Sequence, residues 1–179
     1  MFKKLNSKQI YQDKWLEFFQ DEIEFPDGSK GTYAWAKRKN GVGIVVTTNF
    51  KEILLHREYR YVIDAYSWEV QGGGIDKGEE PIESAIRELK EESGISVHRE
   101  SVKFLGEFYP LHSFNTEKVT LFMVTVNKSD IQDTNTEVSE SIDQHKFVSF
   151  DEALRMIDTG EINDAMTANA IQIAIRKSN

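Results

Sequence analysis

The segment GGGIDKGEEPIESAIRELKEESGI, from Gly72 to Ile95, limits the fold most strongly, because it holds six glutamates and an aspartate in 24 residues behind a run of three glycines. The glycines admit a backbone that side chains would block, and Asp76-Lys77-Gly78 extends the loop. Glu80-Pro81 reads as a helix start, since proline suits the first helical position. Ile82, Ala85, Ile86 and Leu89 then recur at i, i+3, i+4 and i+7, which is one apolar helix face. Gly94 is a fitting C-terminal cap. The segment is therefore loop, helix, loop.

On that helix Glu88, Glu91 and Glu92 stand at i, i+3 and i+4, so their carboxylates converge on one side. Glu79 sits at the helix mouth, and Arg87 lies four residues after Glu83 and four before Glu91. Like charges at this spacing repel by about 0.2–0.5 kcal/mol per pair. One reading is a solvated charged face. The other is a site for a hard divalent cation, since oxygen ligands suit Mg2+ and Mn2+.

The remaining chain alternates strands and helices, which makes the fold class α/β. Trp15–Phe25 is strand-like, Pro26-Asp27-Gly28-Ser29 is a turn, and Thr32–Lys37 returns as the second arm of a hairpin. Further strands are expected at Val42–Thr48, Glu52–Arg57, Phe104–Tyr109, Val119–Val126 and Lys146–Ser149. Ser149-Phe150-Asp151-Glu152 has the form of a capping box, with Gly160 as the stop of that helix. Asn163 is the expected cap of a final helix with Ala168, Ile171 and Ile175 on its apolar face. A boundary near Lys39-Asn40-Gly41 divides a β-hairpin subdomain, residues 1–38, from an α/β domain, residues 39–179.

Composition narrows the partners. A net charge of −8 disfavours nucleic acid and anionic membranes. The absence of cysteine excludes disulfides, zinc–thiolate sites and a cysteine nucleophile, and fits a reducing compartment. MFKKLNSKQI lacks the apolar stretch of a signal peptide, and no apolar run approaches a membrane span. A cytoplasmic location is the expectation.

The charged segment resembles the signature of the Nudix hydrolase superfamily, G-x5-E-x7-R-E-U-x-E-E-x-G-U, where U is a bulky aliphatic residue. Gly73, Glu79, Arg87, Glu88, Leu89, Glu91, Glu92, Gly94 and Ile95 fill every fixed position. The resemblance implies an α/β/α sandwich with a mixed sheet, and hydrolysis of a nucleoside diphosphate linked to another moiety. It implies that Glu88 and Glu92, with Glu91 nearby and a backbone carbonyl at Gly72, hold the metal. It gives Arg87 and Glu79 a structural role as an ion pair joining loop to helix. Glu58-Tyr59-Arg60, Glu69 to Gly73, Pro110, Glu117 and Gly160–Ala165 are similar to stretches of the ADP-ribose pyrophosphatase and nucleotide-sugar hydrolase subgroup. Gln71 and Gly72 depart from the Pro-Ala usual there, and Leu111-His112-Ser113 from Ser-Pro-Gly.

The expected activity is magnesium-dependent cleavage of ADP-ribose, GDP-mannose or a similar nucleoside diphosphate sugar. The products are a nucleoside monophosphate and a sugar phosphate. A nucleoside triphosphate pyrophosphatase and a non-catalytic nucleotide-sugar sensor are the alternatives. The general base is expected within Asp130–Gln144, where Glu140 and Glu137 are the candidates and a family E-x-I favours Glu140. Arg60 is a candidate phosphate clamp or a surface ion pair, and Glu117 a candidate substrate contact. Tyr33 and Trp35 either stack on the base or pack an interface. In that subgroup the N-terminal hairpin builds a swapped homodimer, and a hairpin is marginal alone. A homodimer is therefore expected.

Overall fold

A computed structural model describes residues 1–128 and 142–178. These form two compact units, residues 1–40 with 109–118, and residues 41–108 with 119–179.

The first unit is built on a three-stranded antiparallel sheet in the order β1 (Lys3–Gln12), β2 (Leu16–Glu24), β3 (Lys30–Arg38). β2 and β3 are the expected hairpin, paired without a break from Leu16 opposite Arg38 to Glu24 opposite Lys30. The turn closes through Gly28, whose φ of +84° suits glycine, and through Asp27 Oδ1, which accepts from the Ser29 N–H at 3.0 Å. Phe19 and Trp35 face each other across the ladder and stack with centroids 4.5 Å apart. β1 adds a strand to the expected hairpin. Its residues are exposed throughout, so its ladder with β2 defines it rather than burial. The segment 109–118 returns to β3, where Ala36 N–H donates to the Phe114 carbonyl at 2.9 Å.

Among the described residues the second unit holds a seven-stranded mixed sheet and three α-helices. The main path runs β10 (Ile142–Ser149), β5 (Glu52–Arg60), β4 (Gly41–Thr48), β9 (Val119–Val126), β8 (Lys103–Phe108). β6 (Ala65–Glu69) pairs with β5, and β7 (Gln71–Gly74) pairs with β4. β4 and β9 run parallel, whereas the other pairs are antiparallel. Alternation divides the core. Val42, Ile44, Val46 and Leu54 point with Phe122 and Val124 toward α1 (Pro81–Ser93), meeting Ala85 and Leu89. Val45, Ile53, Leu55, Leu121 and Met123 point the other way, toward α2 (Phe150–Asp158) and α3 (Ala165–Ser178). The result is the expected α/β/α layering. Leu89 is completely buried, and losing such a side chain costs about 2–5 kcal/mol.

The caps follow the sequence in two helices and differ in the third. Pro81 opens α1, and Gly94 closes it at φ +68° with its N–H on the Lys90 carbonyl. Ser149 Oγ accepts from the Glu152 N–H, capping α2. At α3 the side chain that accepts is Asp164, from the Thr167 N–H at 2.7 Å, rather than Asn163. Asp164 directly precedes the first helical residue, so only its carboxylate is in capping register. Among the described residues no helix is long and apolar enough to cross a membrane.

Candidate functional site

Two acids of the helix face, Glu88 and Glu92, are buried, while Glu91 stays partly exposed. Ala85 and Leu89 anchor α1 on the sheet. Glu88 and Glu92 sit beside them on the helix surface, leaving Glu88 7% and Glu92 4% exposed. A buried carboxylate is costly unless paired and hydrogen-bonded. Glu92 Oε2 accepts from the Gly72 N–H at 2.9 Å, which ties the helix to β7. Glu88 Oε1 accepts from Arg87 Nη1 at 2.7 Å.

Arg87 gathers the segment. Nη1 also donates to Glu91 Oε2 at 2.9 Å, while Nε and Nη2 each reach Glu79 at 3.2 Å. Nη2 donates to the Gly74 carbonyl at 3.1 Å as well. One planar guanidinium thus binds the loop glycine, the helix mouth and two helix acids together. Glu79 takes a further hydrogen bond from Ser84 Oγ at 2.6 Å. The Arg87 hydrogen bonds, followed by that of Ser84, hold the Glu79 carboxyl down to about 2. The Glu79 hydrogen bond, followed by those of Glu88 and Glu91, raises Arg87 above the usual guanidinium range.

Gly73 makes room for this arrangement. A β-carbon there would lie 2.5 Å from Glu88 Oε1 and 2.6 Å from Oε2, so any side chain at this position would displace the Glu88 carboxylate. The glycine run keeps the Glu88 carboxylate against the strand, and β7 holds the run in place by pairing Gly72 with Gly43 and Gly73 with Val42.

Charge identifies what the cluster can hold. Glu79, Glu88 and Glu91 pair with one guanidinium, Arg87, while Glu92 on the same helix takes the Gly72 N–H, and Glu88 and Glu92 are nearly inaccessible. Hard oxygen donors with excess negative charge fit a divalent cation. Of the expected ligands, Glu88 and Glu91 are drawn together by Arg87, and Glu92 is held by the Gly72 N–H.

A second group of polar residues, which the sequence did not single out as a cluster, adjoins the first. His56 on β5 stands opposite Glu69 on β6, and Glu58 opposite Ser67. His56 is 1% exposed, with Nε2 3.7 Å from Glu58 Oε2 and Nδ1 3.8 Å from Glu92 Oε2. Arg60 Nε donates to Glu69 Oε1 at 2.9 Å, Nη2 donates to Glu69 Oε2, and Nη2 lies 2.9 Å from Glu58 Oε2. Arg60 is therefore engaged with two acids of its own chain. His145 on β10 lies with Nε2 2.8 Å from the Glu92 carbonyl. A carbonyl only accepts, so Nε2 carries the proton. Burial pushes His145 below the usual imidazole range, partly countered by that carbonyl.

The other expected site residues lie in the first unit. Tyr33 Oη donates to the Ser113 carbonyl at 2.7 Å, Trp35 stacks on Phe19, and Glu117 Oε2 pairs with Arg38 Nη1 at 3.3 Å. Glu137 and Glu140 lie outside the described residues.

The chain is similar to known proteins over almost its whole length. The NUDIX domain model matches residues 37–169, and the model of the nucleoside diphosphate sugar hydrolase N-terminal domain matches residues 2–35. The chain is 28% identical to the ADP-ribose pyrophosphatase of Bacillus subtilis (strain 168), covering 95% of this chain and 90% of that protein. It is 27% identical to the methanol dehydrogenase activator of Bacillus methanolicus, with the same coverage. Among solved structures, a crystal structure of an ADP compounds hydrolase superposes with a TM-score of 0.80 over 98% of this chain and 92% of that one, at 20% identity. That last likeness concerns the fold alone.

Proposed function

The chain belongs to the Nudix family, and from that premise we propose that it is a magnesium-dependent pyrophosphatase acting on a nucleoside diphosphate sugar, with ADP-ribose first among candidates and GDP-mannose next. The observation that carries the substrate class is the N-terminal match. Residues 2–35 fit the N-terminal domain of nucleoside diphosphate sugar hydrolases, on the same chain as a complete Nudix segment. The relative in Bacillus subtilis bears the name ADP-ribose pyrophosphatase. Three acids paired with one arginine, and a fourth, the buried Glu92, on the same helix, support the divalent cation.

In this reading Glu88, Glu92, Glu91 and the Gly72 carbonyl hold the cation, with Mn2+ able to substitute for Mg2+. A bound divalent ion offsets the charge of the diphosphate and makes water more acidic. The chain does the rest. Arg87 fixes the Glu88 and Glu91 carboxylates, and the Gly72 N–H orients Glu92. Glu140, or Glu137 in its place, takes the proton of the attacking water. The water oxygen bonds to one phosphorus, and the bridging oxygen leaves with the other phosphate. A nucleoside monophosphate and a sugar phosphate result.

We further read residues 1–38 as a dimerisation subdomain. Phe2, Ile10, Tyr11 and Trp15 are all exposed in that unit, an apolar surface that a second copy of the chain would cover. A homodimer is the assembly that follows.

The test is a substrate panel with magnesium: ADP-ribose, GDP-mannose, ADP-glucose and dGTP. The expected outcome is AMP and ribose 5-phosphate from ADP-ribose, with kcat down by orders of magnitude in Glu92→Gln. Preference for dGTP would replace the reading with a triphosphate pyrophosphatase. Tight binding of ADP-ribose without turnover would replace it with a sensor.

A further inference from the structure

We propose that His56, Glu58 and Glu69 form a separate site for a transition-metal ion of the zinc class, beside the acidic cluster of α1. The site is a product of strand register. His56 and Glu58 are two residues apart on β5 and share a face, and β6 sets Glu69 directly across from His56. One ligand atom from each of the three lies within 4.8 Å of the others. An ion bound about 2.0–2.2 Å from nitrogen and oxygen donors would draw them together by only a short movement.

The imidazole is the independent sign of a ligand. His56 is almost wholly inaccessible, yet neither ring nitrogen has a hydrogen-bond partner among the described residues. Its neighbours at 3.7 and 3.8 Å are carboxylates, too distant for hydrogen bonds. Buried polar atoms are normally satisfied, and such an exception requires a missing partner. Ser67 Oγ and the Gln71 side-chain amide are unpartnered too, so the surroundings are polar enough for a water to complete the coordination.

Charge permits a cation there. Arg60 touches both Glu58 and Glu69, but one guanidinium leaves the pair with a net negative charge. Each carboxylate also offers more lone pairs than Arg60 uses. An imidazole among oxygen donors selects zinc, cobalt or nickel over magnesium, which prefers oxygen alone. The orientation of the ring suits the role. With the metal on Nε2, which faces Glu58, the proton resides on Nδ1, which faces Glu92 Oε2. A metal-bound histidine that donates its other N–H to a carboxylate is the usual arrangement. The site stands on its own residues. Its link to Glu92, through which occupancy would steady a ligand of the catalytic cation, rests on the function proposed above.

Zinc binding to the full chain in the presence of excess magnesium provides the test. It is measured by equilibrium dialysis in a Glu88→Gln background, which disables the neighbouring cluster. We expect about one zinc per chain, with X-ray absorption showing one imidazole nitrogen among oxygens. Adding His56→Gln or Glu58→Gln should weaken binding at least about tenfold. Glu58 is partly exposed, so its variant keeps the test valid if the His56 variant fails to fold. Unchanged zinc affinity in the folded double variants, or zinc without a nitrogen ligand, overturns the site. Failure of the pyrophosphatase reading would show instead as magnesium-dependent turnover surviving Glu88→Gln.

Discussion

Gly73 and Glu88 claim the same volume, since a β-carbon on the glycine would stand 2.5 and 2.6 Å from the two carboxylate oxygens. Gly73→Ala should therefore expel the Glu88 carboxylate from beside β7 without touching the apolar face of α1. The expected result is a fold that melts within a few degrees of the parent. Turnover should fall at least about tenfold and require more magnesium. A magnesium titration of initial rates, run beside a thermal melt, reads both. Full activity in Gly73→Ala would remove the steric requirement.

The Arg87–Glu79 clamp should fail in acid. Glu79 is held down to about 2 in the folded chain, chiefly by Arg87, against an ordinary glutamate value of about 4.3. A depressed carboxylate stabilises fully above its unfolded value, and that contribution is lost as pH falls from about 4.3 toward 2. Glu79→Gln should be the less stable protein at pH 6, with the gap narrowing as pH drops through that window. Thermal melts of both proteins from pH 6 to pH 3 check the sign. A constant gap would refute it.

For the attacking water, Glu140→Gln should lower kcat by about 10²–10⁴-fold with KM little changed, because a base acts in the transition state. Glu137→Gln should be close to the parent. The reverse pattern would move the base three residues along the chain.

Self-association should depend on the exposed side chains of the first unit. The parent is expected to sediment as a species of twice 20.6 kDa at micromolar concentration. Tyr11→Glu or Trp15→Glu, both at exposed positions, should shift it to the single mass. A parent that sediments at 20.6 kDa with full activity would rule out the dimer.

Elements whose ends carry their own chemistry were legible in the sequence. Pro81 and Gly94 delimit α1, and Ser149 with Glu152 opens α2. The buried strands β4 and β9 announce themselves as apolar runs. β1 does not, because KKLNSKQIYQ is polar and lies wholly exposed, held as a strand by its partner rather than by burial. β7 hides among glycines that read locally as a loop, and only pairing with β4 extends them. At α3, Asn163 and Asp164 are both good caps by type, and the exact start of the helix decides between them. The acids of α1 follow from helical spacing. The grouping of His56 with Glu69 does not, since they stand thirteen positions apart and cross-strand register alone makes them neighbours.

The pairing of Gln71–Gly74 with Gly41–Ile44 carries a kinetic consequence. β4 is buried along its whole length between two helical layers, so it belongs to the part of a protein that opens last. A glycine run in solvent would fray on its own, but this one is laced to the slowest-opening strand, and its Gly72 amide is occupied by Glu92. The amide hydrogens of this run should exchange with solvent only when the entire second unit unfolds. Heating would then abolish the acidic cluster and the sheet in one cooperative step, with no temperature range in which the second unit is folded but the carboxylates of the cluster are scattered.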